Sequence, residues 1–122
     1  MKILNSTIYQ LANALTSVFD NSDIYIPVKA NFFIQKNTGV IAAAAQEIER
    51  SRLEVAKKYG VLDEDGQKYT IPQENMQFVT QELNDLFSIE QDLDIKTFSI
   101  EALGDAELTT AQMQAIMIMI EE

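Results

Sequence analysis

The chain has 122 residues, 47% of them apolar, carries a formal net charge of −10, and contains neither histidine nor cysteine. The length predicts a single domain over residues 1–122 with a substantial core, while the two missing residue types exclude disulfides, thiolate and imidazole metal sites and histidine-dependent nucleophiles. The charge is uneven, with a net +2 on residues 1–60 and −12 on residues 61–122, which makes free nucleic acid and an anionic membrane poor partners.

The first predicted element is a helix that begins at Asn5 or Ser6, since either residue can cap it. One face of this helix is apolar at helical spacing: Ile8, Leu11, Ala12, Leu15, Val18 and Phe19. The polar run 20–23 predicts a loop, and residues 24–26 predict a short extended stretch. The N-terminal segment turns polar too early for a signal peptide and no apolar run approaches the length of a membrane span, so neither is expected.

A long helix is predicted from Pro27 to Tyr59, because this stretch has no further proline and a single glycine. The three-to-four spacing runs through Val40, Ile41, Ala44, Ile48, Arg52, Val55 and Tyr59. A helix of roughly 30 residues is ~45 Å long, more than a small domain needs, so we expect part of it to project or to pair with another helix. Gly60 is expected to end the helix as a C′ glycine.

The middle of the chain predicts a hairpin, a helix and a strand. Residues 61–71 favour a small hairpin or ordered loop around the Asp65-Gly66 turn, which Pro72 ends. The helix that follows has one apolar face: Met76, Val79, Leu83, Leu86 and Phe87. Polar and apolar residues alternate over 92–96, as they do in a half-exposed strand.

The C-terminal region predicts a short turn and a last helix. Ser99 is expected to cap the turn and Gly104 to close it. Thr109 and Gln112 have the spacing of a capping box, and the helix they begin is apolar nearly all round over residues 113–120. Such a helix is usually buried, although methionine-rich faces also form adaptable binding surfaces. We favour core packing or an oligomer seam over a groove for a partner.

These elements together predict the fold class. We expect an α+β fold, a mainly helical single domain with one long helix and a small two- or three-stranded sheet. The sequence contains no repeat, linker or low-complexity segment, which agrees with one domain.

The acidic turn at residues 63–66 invites comparison with a calcium-binding loop. An EF-hand loop needs acidic ligands at its first, third and fifth positions, glycine at the sixth and a glutamate at the twelfth. With Gly66 at the sixth position, Val61 stands at the first and Gln73 at the twelfth. The motif fails, so we interpret the segment as an exposed acidic turn.

Two carboxylate pairs have spacings that acid–base catalysis also uses: Asp92 with Asp94, and Glu82 with Asp85. A solvated surface provides the same spacings. No glycine-rich loop, nucleophile motif or convergent basic group accompanies them. We therefore predict no catalytic, cofactor-binding or metal-binding residue and expect a protein that is not an enzyme.

The acidic second half of the chain has two interpretations. Carboxylates spread over one surface can mimic a nucleic-acid backbone, which carries one charge per ~1.7 Å of duplex axis. Alternatively, they form a solvated surface that keeps the protein in solution. If they contact a partner, the predicted partner-binding residues are Asp63, Glu64, Asp65, Glu90, Asp92 and Asp94.

Several short motifs stand in a characteristic order at residues 26–29, 34–37, 47–50, 57–60, 63–66, 78–86 and 92–95. Their order and spacing resemble a family of small proteins from phages and prophages of low-GC Gram-positive bacteria. The similarity extends from about Ile8 to Leu108, and the family is functionally uncharacterised. The resemblance implies a phage origin and a place in the host bacterial cytoplasm, and it transfers no site residue.

Two functions follow as expectations. The first is a non-enzymatic phage protein that binds a host protein with a basic surface and inhibits or redirects it, as an anti-defence protein or nucleic-acid mimic does. The alternative is a structural or assembly protein of the phage particle, which would self-associate through the long helix and the apolar C-terminal run. An enzyme that uses carboxylates and a hard metal ion has the least support.

Overall fold

The structure, a computed structural model, describes residues 1–19 and 24–121. Within them the helices are α1 (Asn5–Phe19), α2 (Val28–Tyr59), α3 (Met76–Phe87) and α4 (Thr110–Ile116). The strands are β1 (Lys2–Leu4), β2 (Val61–Leu62), β3 (Tyr69–Thr70) and β4 (Glu90–Asp92). The predicted mainly helical α+β fold with one long helix is confirmed. The predicted loop at 20–23 lies outside the described residues.

The strands form two small sheets where the sequence predicted one. β1 pairs with β4 and β2 pairs with β3, both antiparallel. In the first pair Lys2 lies opposite Asp92 and Leu4 opposite Glu90. Residues 24–26, predicted to be extended, form no regular strand.

The core lies where α1 and the first half of α2 meet α4. Both α1 and α2 bury residues three, four or seven positions apart, because that spacing repeats on one side of a helix. The largest completely buried apolar side chains of the described chain are Ile8, Ile41, Ile116 and Met119. Each contributes about 1.5–3 kcal/mol through removal of apolar surface from water. The core draws on residues from Ile3 to Met119, so both ends of the described chain close one hydrophobic cluster.

The two halves of α2 differ in burial. The helix has 32 residues and is therefore about 48 Å long. Its last buried residue is Ile48, and α3, which packs on the remaining part, has no buried residue. The expectation that part of the long helix pairs with another helix thus describes its second half, which packs against α3.

Gly60 ends α2 as predicted, but for a different reason. Its φ of −99° is ordinary extended backbone, so the left-handed conformation of a C′ glycine is absent at this position. A Cβ here would lie 2.5 Å from the carbonyl oxygen of Ala56. The Gly60 N–H bonds that same carbonyl at 2.8 Å. The position therefore needs a glycine because the chain turns tightly over the last helical turn.

The predicted strand at 92–96 is wrong in its position, since β4 covers Glu90–Asp92. Beyond β4 a side chain replaces the strand partner. Asn37, completely buried in α2, donates its amide to the carbonyl of Lys96 and accepts the N–H of Lys96, both at 2.8 Å. The alternating pattern identified an extended segment but could not show that an asparagine would bind it.

The C-terminal region follows the prediction over most of its length. Gly104 closes the turn at Ile100–Leu103 with a φ of +58°, but Ser99 precedes the turn without the predicted capping hydrogen bond from its side chain. Thr109 and Gln112 form the predicted capping box at the start of α4. The helix ends at Ile116, before the predicted end, and tightens into a 3₁₀ turn over Met117–Met119. Most of this run packs into the core of its own chain.

Candidate binding surface

The β2–β3 hairpin presents three of the predicted contact residues at its tip. The Asp63 N–H bonds the Lys68 carbonyl at 2.7 Å, and the Gly66 N–H bonds the Asp63 carbonyl at 2.9 Å. Gly66 has a φ of +74°, a conformation that glycine adopts without steric cost. The Asp-Gly turn predicted from the sequence thus forms, and it holds Glu64 and Asp65 in solvent, while Asp63 is half-buried.

The three carboxylates at this tip have different local contacts. Asp63 accepts a hydrogen bond from the Thr70 hydroxyl at 2.9 Å, and Asp65 accepts one from the Gln67 N–H at 3.1 Å. Both carboxylates therefore help to shape the turn. Within the described chain the Glu64 side chain makes no hydrogen bond or ion pair and is exposed. It is the carboxylate of this group that is most available to a partner.

The other three predicted contact residues lie on and just beyond β4. Glu90 and Asp92 are exposed on the same face of the strand, because alternate residues of a strand share a face. Asp92 forms an ion pair with the N-terminal ammonium at 2.7 Å, and Asp94 forms one with Lys96 at 3.1 Å. Among the described residues the Glu90 side chain has no such partner.

The six predicted contact residues thus form two groups on two sheets that share no strand. This division could not be predicted from the sequence, because it depends on which strands pair. Of these six carboxylates, Glu64 in one group and Glu90 in the other are the two that make no hydrogen bond or ion pair with their side chains in the described chain. They are the best positions for a test of the binding surface.

A polar cluster between α1 and α2 was not predicted from the sequence. Arg52 donates to Glu49 through both Nε, at 3.0 Å, and Nη2, at 2.5 Å, while the Tyr9 hydroxyl donates to Glu49 at 2.7 Å. The Arg52 guanidinium, followed by the Tyr9 hydroxyl, lowers the pKa of Glu49 from 4.5 to about 2. The three-residue spacing of Glu49 and Arg52 was visible in the sequence, but the approach of Tyr9 was not.

This cluster is suited to holding helices together. The hydrogen bond to Glu49, with burial as the second cause, raises the pKa of Tyr9 above its ordinary value of 10. A tyrosine that holds its proton more firmly is a poor acid, and a carboxylate with a pKa near 2 is a poor base at neutral pH. The chemistry therefore favours a structural tie between α1 and α2.

An open cleft of about 610 Å³ separates the second half of α2 from α3, and we name it the α2–α3 groove. Stacking of Tyr59 on Phe78 and an ion pair between Lys58 and Glu82 at 3.0 Å join the helices at one end. The groove is lined by Ser51, Glu54, Val55, Lys58, Glu82, Asp85, Leu86 and Ile89. Its floor is apolar and its rims carry more carboxylates than cations.

The described residues contain no group of three or more acidic side chains arranged to hold a metal ion. This applies also to the acidic hairpin tip, where two of the carboxylates bond within the turn. None of the helices described here combines the length and apolar character needed to cross a bilayer.

Comparison of the chain with known protein families, with curated proteins and with solved structures gives no match. The resemblance to small phage proteins therefore stays a prediction from the sequence. The function must be argued from the surfaces just described.

Proposed function

We propose that this is a phage-encoded, non-enzymatic protein of the host cytoplasm that binds a basic surface of a host protein and inhibits or redirects it. The observation that carries the proposal is the large number of exposed carboxylates that lack internal cations. Among the described carboxylates after residue 60, ion pairs are formed by Glu82, Asp92 and Asp94 alone. Most of the negative charge after residue 60 is therefore not neutralised by cations of the described chain.

An unbalanced acidic surface acts on a partner before contact. Complementary charge accelerates the diffusional encounter of two proteins and orients them, and the effect weakens as salt increases. Free carboxylates also need not break an internal ion pair before they bind a lysine or arginine. Glu64 and Glu90 meet this condition at the two groups of predicted contacts.

The environment of these carboxylates supports binding over catalysis. Catalytic carboxylates usually lie in clefts, where burial or a close charged neighbour adjusts their proton affinity. Glu64, Asp65, Glu90, Asp92 and Asp94 are all exposed. Surface acids of this kind form charge-assisted contacts with a partner, and the proposal assigns them that role.

The experiment is affinity capture from phage-infected host lysate with tagged wild-type protein, followed by elution in a salt gradient and mass spectrometry. The variant is Glu64→Gln with Glu90→Gln. A matched control, Glu101→Gln with Glu107→Gln, removes the same charge from exposed residues elsewhere on the chain. Binding of the identified partner is then measured by calorimetry at several salt concentrations.

We expect one host protein with a basic surface to elute at moderate salt, and its affinity to fall more in the variant than in the control. An affinity that does not change with salt would contradict the proposal, as would equal losses in variant and control. Recovery of particle proteins would favour the assembly function instead. That second candidate is supported by apolar side chains left exposed on the long helix and in the α2–α3 groove.

A further inference from the structure

The α2–α3 groove leaves apolar side chains of both helices open to solvent. Two packed helices usually bury their apolar sides against a third element. Here α1 contacts α3 and places Tyr9 against Phe87, but no element of the described chain closes the groove itself. Val55 and Leu86 are half-buried in the groove, and Ile89 is 50% exposed at its end. An apolar strip of this kind between polar rims is suited to receive another helix.

Charge defines which helix can fit. The groove is lined by Glu54, Glu82, Asp85 and one cation, Lys58, whose ammonium is already bound to Glu82. Glu54 forms a longer ion pair with Lys57, at 3.8 Å, outside the lining. Asp85 has no cation in the described chain. A complementary helix therefore needs an apolar stripe with lysine or arginine beside it and no acidic residue nearby.

The first half of α2 has these properties. Val28 is 81% exposed and Phe32 is 60% exposed, one helical turn apart. Lys29 and Lys36 flank them, and residues 24–46 contain no acidic residue. We name Val28, Lys29, Phe32 and Lys36 the basic stripe. It spans nine residues, about 12 Å, and the groove wall from Ser51 to Lys58 spans about 11 Å.

A chain cannot fill its own groove with this stripe. Phe32 and Val55 lie on the same continuous helix, and the 23 residues between them correspond to about 35 Å. The stripe of one molecule can reach only the groove of another. We propose that the basic stripe of α2 docks into the α2–α3 groove of a second copy of this chain.

The contact is heterologous, because the two surfaces are different, so association can continue beyond a dimer into a ring or a chain. The four residues of the stripe and the eight that line the groove are fewer than the roughly 20–30 residues per side of a standard stable interface. We therefore expect reversible association between about 10 µM and 1 mM. The inference is independent of the proposed host partner, whose predicted contacts lie on the two sheets.

The test is sedimentation velocity of the full chain over this concentration range at about 0.15 M salt, where the repulsion between two acidic molecules is largely screened. Phe32→Asp disrupts the basic stripe and leaves the groove intact. Ile89→Asp disrupts the groove and leaves the stripe intact. Val61→Asp is the matched control, since Val61 is also apolar and 62% exposed but lies in neither surface. Circular dichroism checks that each variant is folded.

We expect the average mass of the wild type and of Val61→Asp to rise with concentration, and each of the other variants alone to stay monomeric. An equimolar mixture of Phe32→Asp and Ile89→Asp should form a one-to-one heterodimer, since one partner supplies the stripe and the other the groove. If Ile89→Asp does not fold, Asp85→Lys replaces it, because Asp85 is exposed on the groove rim.

Three results would overturn the proposal. The first is a monomeric wild type at all concentrations. The second is association that persists in Phe32→Asp or disappears in Val61→Asp. The third is a mixture that stays monomeric although the wild type associates, which would show that one surface does not bind the other.

Discussion

Asn37 in α2 binds both backbone groups of Lys96, donating to its carbonyl and accepting its N–H at 2.8 Å. The asparagine is completely buried, 59 residues away from Lys96 in sequence. Its carboxamide pairs with the chain as a neighbouring strand would. This pair of hydrogen bonds fixes the extended segment after β4 to the long helix.

Asn37→Ala should destabilise the fold by about 2–4 kcal/mol, because each backbone group left unpaired costs about 1–3 kcal/mol. Urea denaturation measures the effect. Asn13→Ala, the same change at an exposed position of α1, should stay within about 0.5 kcal/mol of the wild type. Equal effects at the two positions would show that the Asn37 hydrogen bonds do not stabilise the protein.

Glu49 links stability to pH. Its pKa is lowered from 4.5 to about 2 in the folded protein, so its contribution is complete above about pH 5 and is lost as pH falls towards 2. Glu49→Gln should cost about 1 kcal/mol at pH 7, since solvent screens a side chain that is about one-third exposed. The difference from wild type should vanish near pH 2.

Denaturation curves at pH 7, 4 and 2 measure this dependence. Glu47→Gln serves as the control, because Glu47 is exposed on the same helix and has no ion-pair partner in the described chain. A wild-type advantage over Glu49→Gln that is unchanged at pH 2 would contradict the ion pair as its source.

The capping box of α4 gives a third prediction. The Thr109 hydroxyl accepts the Gln112 N–H at 3.1 Å, and the Gln112 side chain accepts the Thr109 N–H at 2.9 Å. Thr109→Ala should cost about 1 kcal/mol in thermal or urea unfolding. Thr110→Ala, one residue later at an exposed position, should cost less than half as much. A larger loss of stability in Thr110→Ala than in Thr109→Ala would show that Thr109 is not the residue that caps α4.

Gly39 inside α2 and Gly60 just after its last residue should respond in opposite directions to replacement by alanine. At Gly60 a Cβ meets the Ala56 carbonyl oxygen at 2.5 Å, so Gly60→Ala should destabilise the protein by about 1–3 kcal/mol. At Gly39, inside the helix, a Cβ meets nothing within 4 Å. Gly39→Ala should therefore stabilise it by about 0.5–1 kcal/mol.

Melting temperatures of the two alanine variants, measured side by side, decide this. A rise for Gly60→Ala would show that the chain relaxes freely after α2. A fall for Gly39→Ala would show that a Cβ is not tolerated on that side of the helix, where the basic stripe also lies.

The candidate surface was predictable only in its local parts. The Asp-Gly turn that presents Glu64 follows from turn chemistry, which acts over four residues. Glu90 belongs to a strand whose position was missed, because the pairing with β1 depends on residues more than eighty positions away. The Tyr9–Glu49 contact likewise joins residues 40 positions apart. The function predicted from charge and resemblance stays a prediction.

The sequence alone determined where the helices of the described chain lie, the end of the 32-residue α2 and the capping box at Thr109. Helical periodicity, glycine and proline positions and caps act between residues close in the chain, so they can be read directly. Only the tertiary structure decided that Asn37 replaces a strand, that the strands form two sheets and that α3 leaves a groove open on α2. These features depend on which distant surfaces meet, and burial decides that over the whole chain.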